Sequence, residues 1–466
     1  MPDILTVKSP FDGHFIRDLE LSGEQEIDLA IRTAHNQFLD QSRWLYRYQR
    51  IEILERLAGL MEKQVEELTL IAAEEGGKPY KDSKVEVMRA INGVKIAIAE
   101  LYNLRGEEIP MGMTAASTNR FAFTTREPIG VVLAISAFNH PLNLIVHQVI
   151  PAIAAGCPVI VKPASATPLS CFNLVRLLYE AGLPESWCTA LVCRRDLAEK
   201  LAADPRIGYV TFIGSHEVGW RLRSILAPGT RIALEHGGVA PVIVDETAEM
   251  DALVPAITRG GFYHAGQVCV SVQKVFAHES VARSFAEQLA SEASRLVVGD
   301  PLDPQTDVGP MIAESEVIRV GEWVEEAVAA GAKQIQNSKF KIQNFLSSYS
   351  PTVLFSPPEH VKVSKEEVFG PVICIYPYSD LRDAISRANS LRYAFQASVF
   401  TRDIDLALGT AQKLNASAVM INDHTAFRVD WMPFGGRNES GIGTGGIPYS
   451  MKEMTREKLI VLRVKG

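Results

Sequence analysis

A chain of 466 residues, 47% hydrophobic and 22% charged, is too long for one compact domain and has the composition of an ordinary soluble globular protein. Its net charge of −8 leaves no basic excess to neutralise phosphates, which argues against a nucleic-acid partner. An absence of apolar runs of about 18 residues or more argues against a membrane span. The start MPDILTVKSPFDG has no signal-peptide core and the six cysteines show no C-x-x-C spacing, so a cytoplasmic protein without structural disulfides or a zinc site is expected.

In chain order, apolar residues at three- and four-residue steps predict amphipathic helices in EQEIDLAIRTAHNQFL, QRIEILERLAGLMEKQVEELTLIAAEE and SKVEVMRAINGVKIAIAELYNLRG. The stretch 107–127 ends in RFAFTTRE, whose alternation predicts an exposed strand. From 130 the pattern changes. GVVLAIS, PVIVKP, CTALVC, GYVTFIG and RIALE alternate with NLIVHQVIPAIAAG, LSCFNLVRLLYEAG, DLAEKLAAD and HEVGWRLRSILAPG. Buried parallel strands with crossover helices read this way. A second series runs through APVIVDE, KVFAHE, PVICIYPY, QASVF and ASAVMIND, and the chain ends on the strand-like EKLIVLRVKG. Two α/β domains are expected, plus a small ribbon made from 107–127 and the C-terminus.

The ends of the apolar strands carry the chemistry. GIGTGG at 441–446 matches G-x-G-x-x-G, but it follows no hydrophobic strand and no clear helix follows it, so it is assigned to a turn. YVTFIGSHEVG is the better nucleotide candidate, because Gly214 and Ser215 sit between a strand and a helix whose free amides suit a pyrophosphate. Lys162 in VIVKPAS lies just past a buried strand, where open α/β sheets bind ligands. In EEVFGP, Glu367 stands two residues before Phe369 and offers a carboxylate to ribose hydroxyls. Taken singly, each has a bland alternative: a solvated lysine, a surface acid, an ordinary turn. Glu235 ends RIALE beside two glycines, and a carboxylate there should have a raised pKa suited to a general base. Cys269 in GQVCVS follows it, and cysteine is the nucleophile of choice for a covalent acyl intermediate. Asn139 in SAFNHPLN could donate to an oxyanion.

In the segments FNHPLN, VIVKPAS, TFIGSHEVG, LEHGG, GQVC, EEVFGP and PFGG, in that order, the chain resembles the aldehyde dehydrogenase superfamily over essentially its whole length. The resemblance implies the α/β aldehyde dehydrogenase fold. A Rossmann-like NAD(P)-binding domain would come from 1–106 and 128–235, an α/β catalytic domain from 236–448, and a β-ribbon oligomerisation element from 107–127 and 449–466. It implies homodimers or homotetramers and oxidation of an aldehyde to its acid through a thiohemiacetal and a thioester. Carried over, Cys269 is the nucleophile, Glu235 the general base and Asn139 the oxyanion donor. Lys162 is the adenine-ribose contact, Glu367 the nicotinamide-ribose contact, Gly214 and Ser215 the pyrophosphate turn, and Phe434 an aromatic at the substrate entrance. Two departures, His236 for the usual Leu and Ile213 for the usual Thr, remove no catalytic atom; His236 is expected to add a titrating neighbour to Glu235. Ser165 stands where NAD-preferring members often carry a glutamate, so NADP is expected to be accepted alongside NAD and even preferred.

Arg89, His140 and Arg428 resemble the branch that oxidises glyceraldehyde 3-phosphate, lactaldehyde and phosphonoacetaldehyde. They imply a small anionic aldehyde, because unpaired arginines are costly to desolvate. The alternative is that Arg89 and Arg428 are spent on ion pairs with Glu86 or Asp430. Val268, where phosphate-binding relatives place a third arginine, counts against a phosphate-sized anion. The CoA-acylating branch, which usually lacks a base at the position of Glu235, and a catalytically inert scaffold on the same fold are the competing readings.

Overall fold

Five parallel strands lie side by side in the order Arg231–Glu235, Ile207–Ile213, Val131–Ile135, Val159–Lys162 and Cys188–Ala190. Successive side chains of a strand point to opposite faces, and both faces here are covered. Val132, Ala134, Val159 and Val161 pack into one apolar cluster, with the helices Arg47–Lys63, Tyr80–Glu100, Asn143–Ala155 and Leu169–Glu180. Val131, Leu133, Ile135 and Ile160 pack into another, with Glu24–Leu39, Arg195–Ala203 and His216–Ile225. This two-sided burial explains why the strands read as unbroken apolar runs. The coordinates are a computed structural model and describe residues 3–335 and 346–464. Residues 1–2, 336–345 and 465–466, which fall inside the expected domain segments, lie outside the described residues.

A second sheet runs Lys333–Gln334, Thr352–Phe355, Val372–Tyr378, Lys274–His278, Val242–Val244, Gln396–Phe400, Ala418–Ile421, with only the first of these antiparallel to its neighbour. Arg120–Pro128 pairs antiparallel with Thr455–Arg463 along its whole length, and Glu108–Ile109 joins as a third strand. The aldehyde dehydrogenase fold expected from the resemblance, with two α/β sheets and a ribbon, is therefore present. No helix among the described residues is long and apolar enough to cross a membrane.

Three local features differ from expectation. A hairpin of Ile4–Lys8 and Phe15–Glu20 precedes the first helix; its side chains are mostly exposed, so it carries little apolar signal. The long helix expected over 49–75 breaks at Gln64, whose φ and ψ (−112° and 20°) are not helical, giving Arg47–Lys63 and Val65–Gly76. GIGTGG is followed by a helix after all, Ile447–Glu453, whose seven residues, with a proline in the first turn, are too few to show a period. Gly441–Ile442 pairs antiparallel with Leu234 and Glu235, and the helix packs on Asn143–Ala155. The chain thus returns to the first sheet just before entering the ribbon.

Candidate active site

Strand register sets the site. Ile135 lies opposite Lys162 and Phe212, and Ile213 opposite Glu235, so the loops leaving these strands emerge at one edge of the sheet. They border a cavity of about 770 Å³ that Cys269, Glu235 and Asn139 all line. So do Lys162, Ser165, Gly214, Ser215, Glu367 and Phe369, and also Arg89, His140, Arg428 and Phe434. Every residue singled out from the sequence is brought to this one cavity.

Cys269 lines the cavity, as Cys193 does, and differs from the other five cysteines in being only partly buried. The backbone before it is forced into the left-handed region at His264, Ala265 and Gly266 (φ 48°, 53° and 69°). A Cβ at Gly266 would collide with the carbonyl of Gly370, so glycine is required there. The buried Gln267 side chain then pins the loop: it accepts from the amide N–H of Ile312 at 2.9 Å and donates to the Pro310 carbonyl at 3.3 Å. The Gln267 carbonyl in turn accepts one amide hydrogen of Asn139 at 2.9 Å, which fixes that amide against the nucleophile loop.

Burial pushes the Cys269 thiol up to about 12; Arg428 opposes the shift, while Glu235 and Glu367 add to it. Burial also raises Glu235, again opposed by Arg428, and pushes Glu367 up to about 8. Two glycines make room for these carboxylates, since a Cβ at Gly445 would strike Glu235 and one at Gly237 would strike Glu367. Because the folded thiol titrates far above neutrality, its thiolate fraction rises about tenfold per pH unit from pH 7 to 10. Alkylation of Cys269 by iodoacetamide in the cofactor-free protein is expected to follow that slope, and to slow at each pH in Arg428→Met. A rate that levels off below about pH 8, read by mass spectrometry of the Cys269 peptide, would contradict the electrostatics described here.

The arginines are not equivalent. Arg89 donates from Nε and Nη2 to the two oxygens of Asp430, at 3.2 and 2.6 Å. The ion-pair alternative therefore holds for Arg89, with Asp430 rather than Glu86 as partner. Asp430 also receives His147 Nε2 at 2.8 Å, and burial lowers His147 to about 4, which leaves its Nδ1 as an acceptor for Arg428 Nη2 at 3.4 Å. Arg428 has no carboxylate partner among the described residues. Its guanidinium lies 3.5 Å from the centroid of Phe434, and its buried Nε has no hydrogen-bond partner.

His236 corrects an expectation. Its Nδ1 hydrogen-bonds the Gly214 carbonyl at 2.9 Å, its ring packs against Phe212 and Trp220, and burial lowers its pKa to about 4. It is a neutral packing residue near pH 7, not a titrating neighbour of Glu235. His140 is likewise held well below the usual histidine range by burial, with Lys78 and other cations adding to the effect. Lys162 reaches only the Pro163 carbonyl, at 3.2 Å, and Ser165 is exposed beside it.

Sequence reasoning missed Tyr263, Arg259, Arg195 and Glu199, which also line the cavity. It missed a buried framework as well. Lys78 and Glu86 form an ion pair with both side chains fully buried, and Glu86 accepts the amide N–H groups of Leu142 and Asn143, each at 2.9 Å. That carboxylate caps the helix Asn143–Ala155 and holds the loop that carries Asn139.

The chain is 39% identical over 418 residues to the 3-sulfolactaldehyde dehydrogenase of Priestia aryabhattai, covering 90% of this chain and 87% of that protein. The crystal structure of the glyceraldehyde-3-phosphate dehydrogenase GapN from Methanocaldococcus jannaschii, complexed with NADP, superposes with a TM-score of 0.93 at 35% identity, covering 99% of both chains. Aldehyde dehydrogenase 21 from Physcomitrella patens, in complex with the reaction product succinate, superposes with a TM-score of 0.94 at 33% identity, covering 99% of this chain and 95% of that one. Residues 2–460 match the aldehyde dehydrogenase family, and the chain belongs to it: it is an oxidoreductase acting on the aldehyde group.

Proposed function

We propose that this enzyme oxidises a small aldehyde bearing a sulfonate or carboxylate to the corresponding carboxylic acid, with NADP or NAD as the hydride acceptor. The observation that carries the anionic substrate is Arg428, a guanidinium at the cavity with an unpartnered buried Nε and no carboxylate at ion-pair distance among the described residues. Glu235 and Asp430 act on it without a direct ion pair; a buried cation so placed is costly, and an anionic substrate would supply a direct partner. Arg89, already satisfied by Asp430, would support Asp430 and His147 behind Arg428 and make at most a secondary contact. The apolar Val268 argues against a phosphate-sized group. The similarity to proteins named for 3-sulfolactaldehyde, glyceraldehyde 3-phosphate and a succinate product supports an anionic substrate, without choosing between sulfonate, phosphate and carboxylate.

The residues present fit a nicotinamide dinucleotide. Glu367 Oε1 is buried without a partner and Lys162 Nζ has only a local carbonyl, so both are available to ribose hydroxyls, while Gly214 and Ser215 open the helix His216–Ile225 toward the pyrophosphate. When bound, the nicotinamide supplies the hydride acceptor. Cys269 Sγ would bond to the carbonyl carbon, with Asn139 Nδ2 and the Cys269 amide facing the developing oxyanion. Glu235, whose basicity burial has raised, would take the proton of the thiol and later of the water that cleaves the thioester. Ser165 places no carboxylate beside Lys162, which favours acceptance of the 2′-phosphate of NADP. The ribbon, with Leu459, Val461 and Leu462 exposed, would join subunits as a homodimer or homotetramer.

The test is kcat/KM for 3-sulfopropanal against propanal, with each cofactor. The expected preference for the sulfonate is about a hundredfold, falling to within about threefold in Arg428→Met, as for loss of one charge-assisted contact. Equal rates for the two aldehydes in the wild type would overturn the anionic reading, and an NADP rate far below that with NAD would overturn the cofactor preference.

A further inference from the structure

The strand Lys274–His278 lies in the middle of the second sheet, and Gln273 joins it to the loop that carries Cys269. Gln273 is buried, and its carbonyl accepts the amide N–H of Cys374 on the neighbouring strand at 2.7 Å. Its side chain is spent on another segment, the one that carries Glu367. Nε2 donates to the carbonyls of Val363 and Glu366, at 3.0 and 2.7 Å, and Oε1 accepts the amide N–H of Val368 at 2.8 Å. Arg319 Nη2 adds a second tie, donating to the Val368 carbonyl at 2.8 Å.

We propose that Gln273, assisted by Arg319, is a positioning residue for the cofactor: it fixes the backbone of Glu367 so that the carboxylate stands ready for the nicotinamide ribose. The assignment rests on Glu367 holding that ribose, as proposed above. A peptide unit is planar, so a residue has two soft dihedrals, one on each side of its Cα. The Glu366 carbonyl belongs to the plane before Glu367, and the Val368 N–H to the plane after it. Holding both leaves φ and ψ of Glu367 little freedom. A parallel strand holds a residue of its neighbour in the same way, but Glu367 lies outside any strand, and one side-chain amide takes the strand's place. The carboxylate needs this support. The Gly238 N–H bonds it, yet Oε1 is buried with no hydrogen-bond partner among the described residues. Its placement before the cofactor arrives therefore falls largely to its backbone, and a group held in its bound geometry loses less freedom on binding.

The test is binding, read by fluorescence titration of NADH and NADPH and by competition with ADP, which has the adenosine half common to both and no nicotinamide ribose. Gln273→Met keeps the length of the side chain and removes its three hydrogen bonds. It is expected to weaken NADH and NADPH by about tenfold each and to leave ADP within about twofold of the wild type. Glu367→Ala is expected to weaken the dinucleotides at least as much. The double variant should then bind them no more weakly than Glu367→Ala, since a residue that acts through another adds nothing once the other is gone. Multiplied losses in the double variant overturn the proposal, as does wild-type dinucleotide affinity in Gln273→Met; both leave Glu367 its role. Loss of ADP as severe as loss of the dinucleotides also overturns it, because Gln273 would then serve the fold as a whole. Unchanged affinity in Glu367→Ala removes the ribose contact itself and the proposal with it. Should Gln273→Met not fold, Arg319→Met, at a partly exposed residue, carries the same test with an expected dinucleotide loss of about threefold, and no loss there overturns the proposal.

Discussion

Replacing Cys269 with alanine is expected to lower kcat by at least about 10⁴-fold, because removal of a nucleophile leaves only what binding and electrostatics contribute. The counterpart is Glu235→Gln. It keeps the shape of a side chain that Gly445 accommodates but removes the base, so the acyl group should remain on sulfur. Its turnover is expected to fall by about 10²- to 10⁴-fold, with an initial burst of reduced cofactor and an acyl mass on the Cys269 peptide. The two variants fail at different steps, and the pair is therefore more informative than either alone. Turnover of Cys269→Ala near the wild-type rate would remove the covalent route. A Glu235→Gln enzyme that shows neither burst nor adduct would leave the cysteine in place but deny Glu235 the hydrolytic step. Acceleration of the wild type by CoA would assign the acyl group to a thiol acceptor rather than to water, the branch against which the presence of Glu235 argues.

What could be read from the sequence follows from range. Asn139, Lys162, Gly214 and Glu235 each sit at or just beyond the end of a short Val- and Ile-rich run, and in a parallel sheet such ends meet at one edge. Local sequence therefore foretold that they would converge, and the register of Ile135 with Lys162 and of Ile213 with Glu235 is how they do. Cys269 was legible only because GQVC joined this pattern in a known order; its partial exposure, which sets it apart from the other five thiols, leaves no mark in the sequence. The contacts that decide charge in the site had no such signal. Arg89 and Asp430 are 341 positions apart, and no periodicity links them, so Arg89 and Arg428 looked alike when one has a direct ion pair and the other, among the described residues, does not. His236 was legible as a histidine next to a base but not as a ring turned toward the Gly214 carbonyl, since side-chain direction depends on packing against Phe212 and Trp220. The N-terminal hairpin was lost for the opposite reason, its exposed strands having no apolar face to report.

The framework that sequence reading missed yields the largest effect on stability. Lys78→Met is expected to destabilise the fold by about 3–5 kcal/mol, the cost of leaving a buried carboxylate without its counter-ion. Burial lowers the pKa of Lys78 and the Glu86 carboxylate opposes that shift, so the cation is retained by its partner and not by solvent. Glu86 cannot simply turn outward, because its other oxygen holds the amides of Leu142 and Asn143. Loss of Lys78 should consequently act twice: on the denaturant midpoint of the first unfolding transition, and on kcat through the loop that presents Asn139, whose carbonyl also lies 3.4 Å from Lys78 Nζ. Adding Glu86→Gln to Lys78→Met removes the stranded charge while keeping an oxygen for both amides. The double variant should therefore recover most of the lost stability, although replacing the carboxylate weakens the cap it provides to the helix Asn143–Ala155. If Lys78→Met alone unfolds at the wild-type denaturant concentration, or if the double variant is no more stable than the single, the ion pair is not what holds the Asn139 loop against the nucleophile.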